Sequence, residues 1–144
     1  MGNVTIPINY LAVFAAAVVS MIVGSLWYGP LFGKPWMKEM GFKSTKMSDA
    51  MKQGMAKSYG LMFVGSLLMA YVLANELVFS GNFMQTSGLS VGLTGGFFNW
   101  LGFVAPVSLG TVLWDGKSWK LWFMNSGYYL VSLLLMGSLL SVWK

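Results

Sequence analysis

Gly88-Leu89-Ser90-Val91-Gly92-Leu93-Thr94-Gly95-Gly96-Phe97-Phe98-Asn99-Trp100-Leu101-Gly102-Phe103-Val104-Ala105-Pro106-Val107-Ser108-Leu109-Gly110-Thr111-Val112-Leu113 is a run of 26 residues without a charge. At about 1.5 Å of rise per residue, a helix of that length crosses a hydrocarbon core of about 30 Å with some tilt. Gly88, Gly92, Gly95, Asn99, Gly102, Pro106 and Gly110 recur in steps of four and three, which keeps them along one side of a helix. Leu gains little by leaving lipid tails, so helices in a bilayer associate through close packing and hydrogen bonds, and a stripe of Gly marks where another backbone fits. The pattern predicts a membrane-spanning helix at the centre of a bundle, packed through Gly88, Gly92, Gly95, Gly102 and Gly110.

Three further apolar runs flank it, at about 8–28, 59–79 and 121–142, with the third span at 88–113. The expectation is an all-α membrane protein with four transmembrane helices in a single integral membrane domain, 1–144. Composition agrees: 56% of residues are hydrophobic and 9% charged, against about 25% charged in soluble domains. The first span is expected to start behind Pro7, to carry a second small-residue contact at Ser20 and Gly24, and to break at Gly29-Pro30. No Lys or Arg precedes it, so it lacks the positive start of a cleaved secretory signal and is expected to be retained.

All nine basic residues are Lys, and eight of them fall in the loop 29–58 or the turn 114–120. An even number of crossings separates these two connections. They share a side, and the excess of Lys predicts that side to be cytoplasmic, leaving both termini out. In a bacterium the location would be the inner membrane. The loop's Lys residues can attract anionic lipid headgroups. After Ser48, the spacing of Met47, Met51 and Met55 predicts an amphipathic turn or two at the interface.

The absence of Arg argues against nucleic-acid binding. The absence of Cys and His removes disulfides, thiolate nucleophiles and imidazole chemistry. Twelve Met raise a thioether copper site, but Met is also the ordinary filler of apolar surfaces, and neither a metal nor another cofactor is expected.

Leu26-Trp27-Tyr28-Gly29 with Gly33-Lys34-Pro35-Trp36 echoes Leu113-Trp114-Asp115-Gly116 with Lys117-Ser118-Trp119. Each sits at the inner end of an odd-numbered span, which suggests a 2+2 parallel repeat. Anchoring of any inner interface by Trp and Lys gives the same pattern. Tyr28, Pro30, Lys34, Trp36, Trp114, Trp119 and Asn125 complete this interfacial motif. Asn125 is placed to bond to Trp27, Trp114 or the turn at Asp115.

The runs Asn9-Tyr10-Leu11-Ala12-Val13, Leu26-Trp27-Tyr28-Gly29-Pro30-Leu31-Phe32-Gly33-Lys34-Pro35-Trp36, Trp100-Leu101-Gly102-Phe103-Val104-Ala105-Pro106 and Ser118-Trp119-Lys120, with Asn125, carry a family likeness. Over almost its whole length the chain resembles the small bacterial membrane proteins catalogued as domain of unknown function 1761. The resemblance implies a four-span membrane protein and brings no activity or catalytic residue.

Two intramembrane polar groups stand out. Asn99 lies near the middle of its span beside Trp100, where an unpaired amide costs a few kcal/mol. It either bonds to a neighbouring helix or lines a pathway on which Pro106 exposes a carbonyl one turn away. Glu76 is the one carboxylate inside a span, expected about one turn from its outer end. There it reaches water, pairs with Lys144 or the N-terminal amine, or admits an ion. These residues point to a non-enzymatic, homo-oligomeric module that binds or passes a small ligand or ion. The alternative is an accessory subunit that docks another membrane protein through its Gly-rich helix face.

Overall fold

The computed structural model describes residues 5–42 and 49–144, with side chains from residue 54 onward in the second segment. Among the described residues, four helices are long and apolar enough to cross a membrane: Tyr10–Leu31, Gly54–Met84, Leu89–Leu113 and Trp119–Val142, hereafter spans 1 to 4. The protein is an all-α membrane protein with four candidate transmembrane helices.

Helix α1, Tyr10–Leu26, begins where Asn9 Oδ1 accepts the Ala12 N–H at 3.0 Å. Pro7 therefore precedes the cap instead of occupying the first turn. Nor do Gly29 and Pro30 break the span where the sequence suggested. Pro30 has no N–H to offer the carbonyl four residues back, and the chain widens into a π turn over Trp27–Leu31. The turn closes with Phe32 N–H donating to Trp27 O at 2.8 Å. Helix α2, Gly33–Glu39, follows at once. A Cβ on Gly33 would lie 2.6 Å from Tyr28 O, so only glycine lets α2 start tucked under the end of span 1.

Helix α3 runs unbroken from Asp49 to Met84, 36 residues and about 54 Å long. The segment after Ser48 thus forms the first turns of α3 and runs without a break into span 2. Lys43, Lys46, Met47 and Ser48 lie outside the described residues. The connection to span 3 turns through Gln85 at φ 52° and Gly88 at φ 91°, the second a conformation suited to glycine.

Span 3 comprises α4 (Leu89–Asn99), a second π turn (Trp100–Val104), α5 (Ala105–Ser108) and α6 (Gly110–Leu113). The second π turn closes from Ala105 N–H to Trp100 O, one residue before Pro106. Helix α7, Trp119–Val142, is span 4, and its first turn is capped by Ser118 Oγ accepting the Leu121 N–H at 3.1 Å. Glu39, at the end of α2, accepts a hydrogen bond from the same Ser118 hydroxyl at 2.5 Å. A carboxylate so placed also complements the positive end of the α7 dipole.

The spans pack in chain order, with span 4 closing back on span 1. Spans 3 and 4 make the most extensive contact, and spans 2 and 3 one of the slightest. The centre of the bundle differs from the expectation. In span 4, 44% of the most apolar stretch is buried, against 11% in span 3. Lipid and core are equally apolar, so hydropathy ranks these helices without saying which is inside. The core joins Ala12, Val13 and Ala16 of span 1 to Ala70, Leu73, Ala74 and Leu77 of span 2 and Leu133, Met136 and Leu140 of span 4.

Candidate functional site

The residues singled out along span 3 face different neighbours. Gly92 and Gly96 lie against span 4. A Cβ on Gly92 would fall 2.5 Å from the Gly137 carbonyl carbon and nearer still to its oxygen, and a Cβ on Gly96 would fall 2.8 Å from the Leu133 carbonyl carbon. The relation is reciprocal, since a Cβ on Gly137 would fall 3.0 Å from the Gly92 carbonyl carbon and nearer to its oxygen. Each glycine thus directs a Cα hydrogen toward the other's carbonyl. Gly95 instead faces span 2, where a Cβ would lie 2.6 Å from Leu77 Cδ2. Gly88 and Gly102 have nothing within 4 Å of a Cβ position, and Gly110 meets only the Trp114 ring. Gly102 and Pro106 are exposed on the surface of the single chain. Gly96 and Gly137 were not singled out from the sequence. Gly92-x-x-x-Gly96 and Gly137-x-x-x-Ser141 are the small-residue spacings that mark them.

Between spans 2 and 3, Asn99 Nδ2 donates to Glu76 Oε2, and also to Gly95 O of its own helix at 2.9 Å. Glu76 lies farther from the end of its helix than expected because α3 continues to Met84, eight residues or about 12 Å beyond it. Its hydrogen-bond partner among the described side chains is Asn99, not Lys144. Both residues are half-buried. Gly95 borders the site and leaves room there for Leu77 and Glu76, while the neighbouring Trp100 turns its indole to span 4. The Glu76 carboxyl oxygens are hard donors that can hold a proton or help to hold a small hard cation, and Asn99 turns its amide N–H toward them. No group of three or more His, Cys, Asp or Glu able to hold a metal ion occurs among the described residues.

A second polar cluster clamps span 4. Trp27 Nε1 donates to Met124 O at 2.9 Å, and Tyr28 OH and Trp36 Nε1 donate to Asn125 Oδ1 at 2.9 and 3.2 Å. Trp100 Nε1 donates to Ser126 O at 2.9 Å and Ser126 Oγ at 3.1 Å. Three consecutive residues of α7 therefore receive indole or phenol donors from spans 1 and 3 and from α2. Gly127 leaves room for the Trp27 ring, whose Cζ2 would lie 3.2 Å from a Cβ there. Ser20 and Gly24 seat Tyr128: its hydroxyl lies 3.2 Å from both Ser20 Oγ and Ser20 O, and a Cβ on Gly24 would be 3.3 Å from it.

The expected partners of Asn125 are thus replaced by Tyr28 and Trp36. Trp114, 85% exposed, and Trp119 stand apart from the clamp, as do exposed Gly29, Pro30 and Lys34. In geometry, Trp27 is matched by Trp100 and not by Trp114. Trp27 and Trp100 each open a π turn, have Gly two residues on, and anchor on the backbone of span 4.

A family model described as a protein of unknown function (DUF1761) matches residues 11–141, which include both π turns, the clamp, Glu76 and Asn99. The chain belongs to the DUF1761 family. Neither curated proteins nor solved structures give a match. The family brings no assigned chemistry, and the functional case for this DUF1761 chain rests on its own geometry.

Proposed function

We propose that the protein is an oligomeric membrane module that binds or passes a small ion, with Glu76 and Asn99 as the ion site. The observation that carries the proposal is the carboxyl of Glu76, well inside a span and bonded to an amide. A carboxyl group is costly in hydrocarbon and adds nothing to packing that Leu would not supply, which makes an ion site the default role for it. Trp100 and Pro106, on the same span as Asn99, are proposed to lie along the pathway.

A second copy is proposed to seat on the outward side of span 3, where Gly102, Pro106 and Gly110 carry the rest of the small-residue stripe. Docking of a different membrane protein on that side is the alternative. The bundle end with the Lys-rich connection is proposed to face the cytoplasm, with Lys34 and Lys38 of α2 toward anionic headgroups, and both termini outside.

Thermal unfolding in mild detergent, scanned over pH and over Li⁺, Na⁺ and K⁺, tests the ion site. Stabilisation by one of these ions that is abolished in Glu76→Gln and Asn99→Leu supports it. Stability that follows the same curve in all three proteins counts against it.

A further inference from the structure

The bundle end carrying Pro7 and Lys144 holds a cavity of about 200 Å³. Asn9, Asn82 and Ser141 give it polar walls, and Ala74, Leu77 and Leu140 form its apolar floor. Ala74 is two residues deeper along α3 than Glu76, so the cavity reaches the level of the carboxyl on the inner side of span 2. Leu77, only 6% exposed, separates the two spaces. It lines the cavity and also lies over Gly95, whose Cβ position is 4.0 Å from Glu76 Oε1.

We infer that this cavity is a water-filled vestibule through which a proton reaches Glu76 from the terminal end of the bundle, and that Leu77 is its gate. The inference rests on the proposed ion site at Glu76. The volume holds several waters. Asn9 Oδ1 caps α1 and the Ser141 hydroxyl donates to Ser138 O, and the Asn82 amide, the Asn9 amide nitrogen and the Ser141 oxygen add capacity to bond water among the apolar walls. A hydrophobic side chain at a constriction controls passage by excluding water until it moves. Among the described residues, Lys144 is the charged residue lining the cavity. A proton handed along hydrogen-bonded water need not reside there. Glu76 is the group that receives it, and the Asn99 amide donates a hydrogen bond to its carboxyl.

The chain has no Cys, so single-Cys variants report water directly. Methyl methanethiosulfonate reacts with the thiolate, which forms in water and not in lipid. Ala74→Cys, on the cavity floor, is expected to react in liposomes. Val72→Cys, at similar depth but 61% exposed on the lipid side of the same helix, is expected to stay inert. Glu76→Cys is expected to react slowly, and at least about threefold faster when combined with Leu77→Ala. Thermal unfolding of each variant confirms that it is folded.

An inert Ala74→Cys, or one no faster than Val72→Cys, overturns the vestibule. A Glu76→Cys rate indifferent to Leu77→Ala overturns the gate. These failures are distinct from failure of the ion site, which is read from Glu76→Gln and leaves thiol accessibility at position 74 unchanged.

Discussion

Gly92→Ala should loosen spans 3 and 4 by a calculable amount. The added methyl would sit 2.5 Å from the Gly137 carbonyl carbon and would also meet Ser141 Oγ; the hydroxyl can rotate away, but the Gly137 backbone cannot. Ordinary carbon contacts lie at about 3.5–4.0 Å, so the helices must part locally by about 1 Å. A gap of that size forfeits up to half of the dispersion energy of each contact across the most extensive interface in the bundle. Overpacking of this kind costs about 3 kcal/mol, and the better helix propensity of Ala returns about 1, for a net loss near 2 kcal/mol. Gly65→Ala is the control. It has nothing within 4 Å of a Cβ position and should be neutral or slightly stabilising. Equilibrium unfolding by SDS titration in mixed micelles, followed by helical circular dichroism, measures both. Equal stability of the two variants would refute the close backbone contact.

Asn125→Leu removes the shared acceptor of Tyr28 and Trp36, and at about 0.6–1.7 kcal/mol per interhelical hydrogen bond should cost about 1–3 kcal/mol by the same titration. It should also change Trp fluorescence, while Trp114→Phe, at an exposed ring, should leave stability unaltered. Gly33→Ala forces a methyl against Tyr28 O and should destabilise by about 1–3 kcal/mol, with α2 released from span 4 and the Ser118–Glu39 bond lost. Proteolysis between spans 1 and 2 reads that release, and wild-type resistance in Gly33→Ala would count against the tucked start of α2.

The four spans were legible because lipid imposes one requirement, a long apolar run, and the sequence meets it four times. The rotation of each helix was not legible. Gly92 and Gly95 are three residues apart and look in directions about 60° apart, enough for one to face span 4 and the other span 2. The π turn at Trp100–Val104 then adds a residue to the repeat and turns Gly102, Pro106 and Gly110 outward. A strict three-and-four spacing hides both effects. Glu76 and Asn99 could each be picked out as costly in lipid. Their pairing depends on the length of α3 and the relative rotation of two helices, neither of which the residue pattern contains. The clamp was half visible. Trp27, Tyr28, Trp36 and Asn125 stood out as interfacial residues, but Trp114 looked like the equal of Trp27, and the matching role belongs to Trp100.

The most direct test is dissipation of an imposed pH gradient in liposomes containing the purified protein, read with an enclosed pH-sensitive dye. Wild type should dissipate the gradient faster than empty liposomes, and Glu76→Gln, folded and inserted to the same extent, should not. Equal rates for wild type and Glu76→Gln, or a wild-type rate no greater than that of empty liposomes, would contradict a proton-passing site at Glu76.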